Sequence, residues 1–419
     1  MKVCIVGAGS PYTPELLEKF AEVKEEFPVG EIALYDIDQM RLAIMEGFAR
    51  RYCAAIGLEN IKVYAAKSLD EAVSGADFVN TQIRVGGNLS RVRDERIPLS
   101  HGFIGQETTG PGGFMKALRT VPQMLDIAKT IEREAPDAWL INYTNPTGIV
   151  GQALSDYSKV KFTALCAGGI RTQWRCAEVL GVDADDVRYD IFGLNHLNYA
   201  YNITVRGRKL TDEEFEKVVR NVSEVNPEVG LRVGAVLSGY LQYYNHRMKK
   251  LDALTSAPQT RGEIVLGMER ELYDEFADPA SHEKPKTLKK RGGGGYSAVA
   301  VRVMNAIWNN RDTWCVTNLA NNGTFRMLPD RAVIETAVLI NASGIRPLAA
   351  AQPPKAAWGL VAAVKAYEMM TAEAAVTGDR DLALMALTHH PLVCDYDQAK
   401  ILLDEMLEAN RAYLPAFFR

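Results

Sequence analysis

The sequence predicts an α/β fold in which a doubly wound parallel sheet is followed by an α+β region. Two observations lead to this prediction. Strand-like and helical segments alternate from the first residues onward, and such alternation is typical of a parallel sheet with helices on both faces. From about residue 187 the pattern changes to strands that read as antiparallel, and the last part of the chain is mostly helical.

The N-terminal half begins with a strand, a glycine turn and a helix. The β-branched run at residues 3–6 stops at the turn Gly7-Ala8-Gly9-Ser10, and apolar side chains at helical spacing follow. This order predicts a Rossmann-like, NAD-binding domain over residues 1–165. The predicted strands lie at residues 3–6, 31–35, 62–64, 76–83 and 138–143, and the predicted helices at 13–24, 39–56 and 114–134.

Residues 166–419 are predicted to form an α+β domain. The segment 279–295 is polar, basic and rich in glycine, which predicts a loop. Strands are predicted at 190–193, 201–205, 313–318 and 332–339, and helical regions at 212–276, 355–387 and 396–413.

Composition excludes several classes of protein. The 419 residues include 48 Lys and Arg against 52 Asp and Glu, a net charge of −4, so there is no overall positive field for nucleic acid. The six cysteines are scattered and form no CxxC pair, which favours a reducing compartment over a disulfide scaffold. Apolar runs of ~18 residues and a signal-peptide pattern are absent. We expect a cytoplasmic protein that binds neither nucleic acid nor membrane.

The glycine turn is the first candidate site. Its N–H groups and the start of the next helix can hold a pyrophosphate. Asp36 follows Gly9 by 27 residues at the end of the second strand, where a carboxylate can accept both ribose hydroxyls. Tyr12 stands where the dinucleotide fingerprint has its third glycine, so a tight turn without a ligand is an equal alternative.

Polar residues also follow the fourth and fifth strands. Arg91 lies close to the end of the fourth strand, and at the carboxyl end of a parallel strand an arginine can anchor an anionic or polyhydroxylated substrate. Alternatively, the arginines of this segment pair with Asp94, Glu95 and Glu107 on the surface. In the segment after the fifth strand, Pro146 holds Asn145 extended and can direct its amide into the crevice, or the segment forms only an Asx-type turn.

Cys166 and His196 are candidates for a metal site. A thiolate and an imidazole together suit a divalent transition metal. Their separation of 30 residues is no local metal signature, so spacing alone favours a buried thiol and a hydrogen-bonded histidine. Spacing alone also favours a structural role for three tyrosines, which it predicts to form an aromatic stripe on one helix face. They are Tyr240, Tyr243 and Tyr244.

Taken together, these segments resemble glycoside hydrolase family 4, nearest its 6-phospho-β-glucosidase branch. The resemblance runs over nearly the whole chain. The segments that carry it are GAGSPYTPEL, LYDID, IRVGG, RVRDERIPL, HGFIGQETTGPGGF, ALRTVP, NYTNPTGI, LC, GLNHLNY, GYLQYY, TRGEIV, KKRGGGGYS, NNG and LTHHPLV.

The resemblance implies an NAD- and metal-dependent glycosidase that achieves no net redox change. In this family, NAD takes a hydride from sugar carbon 3, a base removes the proton from carbon 2, the aglycone leaves by elimination, water adds and the hydride returns. By similarity, Cys166 and His196 hold a divalent cation, usually manganese, and Tyr240 is the base. Arg91, Asn145 and Arg261 fall at substrate positions. Gly7, Gly9, Ser10, Asp36, Ile83 and Arg84 fall at the NAD site.

One departure from the family pattern bears on specificity. After the metal cysteine, α-glycoside members usually have Asp and 6-phospho-β-glucosidases Asn, whereas this chain has Ala167-Gly168-Gly169. Ala167 cannot protonate a leaving group or hydrogen-bond to a sugar. A substrate phosphate could be met by Arg171, Arg261 or Arg291.

Four interpretations therefore follow from the sequence. The first is cleavage of a 6-phospho-β-glucoside, and the second is the same chemistry on a non-phosphorylated or uronic acid glycoside. The third is a simple NAD-dependent sugar or hydroxy-acid dehydrogenase, and the fourth is a non-catalytic NAD-binding protein. The resemblance also implies that residues 166–419 serve catalysis, metal binding and oligomerisation, and that the protein is a homodimer or homotetramer.

Overall fold

The computed structural model describes residues 1–291 and 295–419. The strands of these residues are β1 (Lys2–Val6), β2 (Glu31–Tyr35), β3 (Lys62–Ala65), β4 (Phe78–Thr81), β5 (Trp139–Asn142), β6 (Lys161–Ala164), β7 (Val187–Leu194), β8 (Leu197–Val205), β9 (Arg208–Lys209), β10 (Val236–Leu237), β11 (Thr313–Ala320), β12 (Val333–Asn341) and β13 (Gly344–Pro347).

The helices of the same residues are α1 (Thr13–Glu22), α2 (Gln39–Ala55), α3 (Leu69–Val73), α4 (Gly87–Ser100), α5 (Pro111–Glu134), α6 (Thr147–Tyr157), α7 (Ala167–Leu180), α8 (Asp212–Val222), α9 (Pro227–Val233), α10 (Gln242–Asn245), α11 (Arg247–Ser256), α12 (Arg261–Ala277), α13 (Lys286–Arg291), α14 (Tyr296–Trp308), α15 (Lys355–Thr377), α16 (Arg380–His389) and α17 (Tyr396–Ala409). In this part of the chain, no helix is long and apolar enough to cross a membrane.

The larger sheet confirms the predicted doubly wound arrangement. Within the described residues its nine strands run in the order β13-β12-β11-β6-β5-β4-β1-β2-β3, and the six from β6 to β3 are parallel. Both faces of this sheet are buried, and successive side chains of β1 therefore point into opposite halves of the core. Val3 and Ile5 pack with α1, while Cys4 and Val6 pack with α5 on the opposite face.

Strands β7, β8, β9 and β10 form a second, antiparallel sheet, as the pattern after residue 187 predicted. The strands β11, β12 and β13 do not form a sheet of their own. They extend the first sheet in antiparallel fashion, because Asn318 of β11 pairs with Ala164 of β6. The predicted halves 1–165 and 166–419 therefore share one sheet, and the boundary between them stays a prediction.

Two details of the predicted elements are wrong. The loop predicted at 279–295 contains the helix α13, whose Leu288 is buried in the core and gives this segment an apolar anchor. Gly292, Gly293 and Gly294 of that predicted loop lie outside the described residues. The helical region 355–387 is two helices, because Gly378 adopts a φ of +76° and ends α15.

The register of the parallel strands brings several loops to one edge. Val6 pairs with Tyr35 and Thr81, Thr81 pairs with Asn142, and Asn142 pairs with Ala164. These strands therefore end at the same level, and ligands of such sheets bind at their carboxyl ends. The residues that directly follow them are Gly7, Asp36, Gln82, Tyr143 and Leu165.

Candidate active site

The glycine turn is fixed against two neighbouring strands. The N–H groups of Gly7 and Ala8 donate to the carbonyl oxygen of Tyr35 at 2.8 and 3.0 Å. Gly7 has a φ of +86°, and a Cβ there would lie 2.9 Å from the carbonyl carbon of Gln82, so both the conformation and the space require glycine. The turn thus offers bare backbone at the edge of the sheet, the close approach that a pyrophosphate needs.

Asp36 is bound to the same turn. Its Oδ2 accepts a hydrogen bond from Gly9 N at 2.9 Å, and its Oδ1 accepts one from Asp38 N at 2.9 Å. Burial raises the pKa of Asp36, while these two N–H groups lower it. A Cβ on Gly9 would lie 2.9 Å from Asp36 Oδ2, so this turn leaves no room for a larger residue. The turn and the carboxylate therefore fit a dinucleotide.

The other predicted NAD contacts lie along this edge but have partners within the protein. Ser10 N donates to Gly7 O at 3.0 Å, and Ile83 N donates to Thr144 Oγ1 at 3.1 Å. Arg84 forms an ion pair with Glu107, with 2.5 Å between Nη1 and Oε2. Contacts of these three residues with NAD stay predictions.

A buried basic cluster surrounds Glu107. The cluster consists of Arg84, Arg91 and Lys116, and the last two lie 3.1 and 3.0 Å from the Glu107 carboxylate. Burial opposes ionisation of Glu107, but the three cations hold its pKa well below the ordinary value. Burial lowers the pKa of Lys116 to about 7. Glu95 also binds Arg91, so the site has three basic side chains and two carboxylates. This excess of positive charge suits an anionic ligand.

The ion pairs of Arg91 with Glu95 and Glu107 are present as the alternative expected, but Arg91 does not lie on the surface. The Arg91 side chain is only 9% exposed, and its partners Glu95 and Glu107 are 3% and 16% exposed. Asp94 does not take part, because it pairs with Arg119 in a fully buried ion pair. The predicted contact of Arg91 with a substrate is not tested by these distances.

Cys166 and His196 are both buried, at 5% and 6% exposure. Cys166 caps α7, and its sulfur accepts a hydrogen bond from Gly168 N at 3.3 Å. Burial raises the pKa of its thiol to about 12, although the neighbouring Asn195 side chain and Gly168 N lower it. His196 lies in the tight turn between β7 and β8 with a φ of +66°, and its Nδ1 is 2.9 Å from Thr108 Oγ1.

His196 and Tyr240 form a flat stack. The ring centroids are 3.7 Å apart and the ring planes differ by 3°. Tyr240 lies in a short 3₁₀ turn, Gly239–Leu241, while Tyr243 and Tyr244 belong to α10. The expected stripe on one helix face is therefore wrong. Burial raises the pKa of Tyr240 well above the ordinary value, Cys166 and Glu107 raise it further, and Arg91 lowers it.

The two remaining predicted substrate residues differ in their surroundings. Asn145 Oδ1 accepts hydrogen bonds from Thr147 N and Oγ1, both at 3.3 Å, so the Asx-type turn is present. Arg261 is the first residue of α12, whose second residue, Gly262, donates its N–H to Glu95 Oε2 at 2.6 Å. Glu95 thus ties Arg91 and the start of α12 together.

Four residues at this site were not singled out from the sequence as functional. Lys116 lies in a helix where a buried cation has no local signal, and Thr108 is one polar residue among several in GQETTG. Glu335 and Tyr296 come from the distant segments β12 and α14. Glu335 raises the pKa of Cys166, and both Cys166 and Tyr240 act on the pKa of Tyr296. Only the pairing of β11 with β6 could have revealed the approach of Glu335.

The residues at Cys166 also fit a divalent cation. Both side chains neighbour Tyr240, because His196 stacks on its ring and Cys166 raises its pKa. Burial lowers the pKa of His196 to about 3, so the ring is neutral as a metal ligand must be. Asn195 Nδ2 is buried near the thiol without a hydrogen-bond partner of good geometry. Across the described ranges, no three His, Cys, Asp or Glu side chains converge. A cation there would need further ligands from substrate or water.

Comparison with protein families gives two matches. Residues 2–182 match the model of the family described as "Family 4 glycosyl hydrolase". Residues 191–393 match that of "Family 4 glycosyl hydrolase C-terminal domain". Together the two models cover most of the chain.

Individual relatives are similar over their full length. A Bacillus subtilis protein named "Probable 6-phospho-beta-glucosidase" is 39% identical over 100% of this chain and 98% of its own. The Escherichia coli 6-phospho-beta-glucosidase is 34% identical over 100% and 97%. The structure of the Thermotoga maritima 6-phospho-beta-glucosidase with manganese, NAD⁺ and glucose-6-phosphate has a TM-score of 0.91 at 32% identity, with 99% of each chain covered.

Proposed function

The chain belongs to glycosyl hydrolase family 4, and from this membership we propose that it cleaves 6-phospho-β-glucosides with NAD and a divalent cation, preferably manganese. The observation that carries the proposal is the similarity, over the whole chain, to relatives named for this activity. The site described above supports it, because the glycine turn, the thiol–imidazole pair and a buried basic cluster lie along one edge of the sheet.

Two parts of the site would hold the cofactors. Gly7, Gly9 and Asp36 would hold NAD, and Cys166 with His196 would hold the cation. When bound, NAD accepts and returns a hydride, and the cation polarises sugar oxygens. Binding of the cation requires the Cys166 thiol to lose its proton, whereas His196 is already neutral.

Tyr240 removes the proton from sugar carbon 2 in this proposal. Its ring lies flat on His196, so its orientation is set by a buried side chain. Burial raises the pKa of the phenol, and a base with so high a pKa works only when positive charge favours the phenolate. Arg91 supplies part of that charge, because it lowers the pKa of Tyr240.

Arg91, Asn145 and Arg261 bind the phosphorylated sugar. Arg91 and Arg261 are linked through Glu95, which bonds to the Arg91 side chain at 2.8 Å and to the first turn of α12. The backbone at the start of α12 is therefore held beside Arg91, while the side chain of Arg261 itself is exposed. With a net charge of −4 overall, the protein must meet a phosphate with such placed cations.

The remaining parts of the proposal concern the state of the protein. We expect a cytoplasmic homodimer or homotetramer, as the family resemblance implies. Light scattering of the purified protein measures its mass in solution. A mass equal to that of one chain would exclude a homodimer or homotetramer.

Paired substrates test the proposed function. We expect purified protein with NAD, manganese and a reductant to release 4-nitrophenol from 4-nitrophenyl 6-phospho-β-glucoside, with no net NADH. Equal rates on the same glucoside without phosphate would overturn the claim for the phosphate. Faster cleavage of a glucuronide would point to uronic acid glycosides. Accumulation of NADH without release of 4-nitrophenol would identify a dehydrogenase instead.

A further inference from the structure

The segment after β2 combines features of NAD-binding and NADP-binding sites. A carboxylate such as Asp36 binds the ribose 2′-hydroxyl of NAD, whereas a nearby arginine accommodates the 2′-phosphate of NADP. This chain has such an arginine as well, because Arg41 lies in the first turn of α2. A Cβ on Gly9 would lie 2.9 Å from Asp36 Oδ2 and 3.0 Å from the Cβ of Arg41. Both side chains therefore border the same glycine turn, and the state of Arg41 bears on which dinucleotide binds.

The guanidinium of Arg41 is already bound by two carboxylates. Its Nη1 and Nη2 donate to the two carboxylate oxygens of Glu269 on α12, both at 3.3 Å. Its Nε lies 3.2 Å from Asp38 Oδ2. This two-pronged contact occupies the planar fork with which an arginine binds a phosphate. Glu269 is only 10% exposed, so water and salt screen its charge less than that of a surface residue.

Tyr273 holds this ion pair against the glycine turn. It follows Glu269 by four residues, so the two side chains lie on the same face of α12. The guanidinium carbon of Arg41 lies 4.7 Å from the centroid of the Tyr273 ring, a cation–π contact. The Tyr273 hydroxyl donates a hydrogen bond to the carbonyl oxygen of Gly9. The carboxylate of Glu269 is therefore fixed relative to the turn that would hold NAD.

The charges at this position favour a hydroxyl over a phosphate. Asp36, Asp38 and Glu269 supply three carboxylates against the one guanidinium of Arg41. A ribose 2′-hydroxyl can donate a hydrogen bond to a carboxylate. A 2′-phosphate carries a charge of nearly −2, so it is repelled by the carboxylates and finds the guanidinium engaged.

We propose that Glu269 is a specificity-determining residue for the cofactor, because it occupies Arg41 and so excludes the 2′-phosphate of NADP. The inference rests on the proposed function, in which the glycine turn and Asp36 hold NAD. It assigns to α12, a helix from the second half of the chain, a role in the choice of dinucleotide. Specificity of this kind comes from the repulsive element as well as from the attractive one.

Binding of the two dinucleotides tests this assignment. We expect the purified full chain to bind NAD⁺ more tightly than NADP⁺ in fluorescence titrations. Glu269→Gln keeps the shape of the side chain and releases the charge of Arg41. It should tighten binding of NADP⁺ at least about tenfold, as one hydrogen bond to a charged group is worth. NAD⁺ affinity should change little, and the gain for NADP⁺ should shrink as salt is added.

Two further variants identify the group that binds the phosphate. Glu271→Gln is the matched control, since it removes the same charge from an exposed residue of α12 that bonds to Thr287 rather than to Arg41. Its ratio of NADP⁺ to NAD⁺ affinity should equal that of the wild type. Adding Arg41→Met to Glu269→Gln should abolish the gain for NADP⁺.

Each other outcome contradicts the assignment. An unchanged ratio of the two affinities in Glu269→Gln, including an equal loss of both, would overturn the inference and leave the proposed function standing. A gain that persists without Arg41 would also overturn it, because another cation would then bind the phosphate. A wild type that binds neither dinucleotide would overturn the inference and the proposed function together.

Discussion

The ring of Tyr240 lies against the ring of His196 with 3.7 Å between centroids and 3° between planes. This stack joins the proposed base to a proposed metal ligand, because the two side chains cannot move separately without losing the contact. It also places the phenol near Arg91, which favours the ionised form. In the proposed mechanism, the position of the base therefore depends on His196.

Tyr240→Phe should keep the stack and remove the base. We expect turnover to fall about 10²–10⁴-fold, and exchange of the carbon 2 proton of glucose 6-phosphate with deuterated solvent to be lost, as followed by NMR. Affinity for NAD should change little, since the glycine turn is untouched. Tyr243→Phe, in the neighbouring helix, is the control. Rapid exchange in Tyr240→Phe would show that another group is the base.

Cys166→Ser should weaken binding of manganese by at least about 100-fold, because even the outer partners of metal ligands are worth 10–100-fold. In the wild type, the affinity for manganese should increase about tenfold for each unit by which the pH is raised. The reason is that burial raises the pKa of the Cys166 thiol to about 12, so the thiol must release one proton when the metal binds. His196 contributes none, because its pKa is about 3. Calorimetry in buffers of different ionisation enthalpy counts the protons. The exposed Cys394 provides the control Cys394→Ser, and release of two protons would contradict the prediction.

Gly9→Ala should impair NAD binding through Asp36. The added methyl would stand 2.9 Å from Asp36 Oδ2, so the turn must shift and the hydrogen bond from Gly9 N must lengthen. We expect at least about tenfold weaker binding of NAD by fluorescence titration. Gly359→Ala has open space around it and should leave NAD affinity unchanged, with about 0.5–1 kcal/mol of added stability. An equal effect of both variants would show that Asp36 plays no part.

The parallel sheet and its glycine turn were predictable because their signals are local. Strand, turn and helix follow one another at residues 2–22, and the β-branched run ends where Gly7 must bend the chain. The addition of β11, β12 and β13 to the same sheet was not predictable, since it depends on the pairing of Asn318 with Ala164 across 154 residues.

The site shows the same division. Asp36, Cys166 and His196 were candidates from the sequence, the family resemblance gave them roles, and those roles stay predictions. The ion pairs of Arg91 were considered from the sequence, but their burial could not be predicted. The exposure of Arg91 depends on how α4 packs against α5 and α12. Tyr296 was quoted within a motif and given no role. The approach of its neighbour Gly295 to Ala167 becomes visible only when α14 is packed.

Glu335→Gln should change how stability depends on pH. Glu335 is fully buried, its Oε1 has no donor among the described residues, and the same holds for Asn318 Oδ1 on the paired strand. A protonated carboxyl avoids a buried charge, although hydrogen bonds from Asn198 and Asn318 favour the ionised form. Burial accordingly raises the pKa of Glu335 to about 8 in the folded state, against about 4.3 in an unfolded chain.

Between those pH values the folded state holds a proton that the unfolded state has lost. The free energy of unfolding of the wild type should therefore fall as the pH rises from about 4.3 to 8, whereas Glu335→Gln lacks this contribution. Urea unfolding of both proteins at pH 5 and pH 8 measures this contribution to the free energy of unfolding. We expect the variant to gain roughly 3–4 kcal/mol relative to the wild type between the two, because one bound proton contributes about 1.4 kcal/mol per pH unit over nearly three units. A difference between the two proteins that is the same at both pH values would mean that Glu335 is ionised in the folded state.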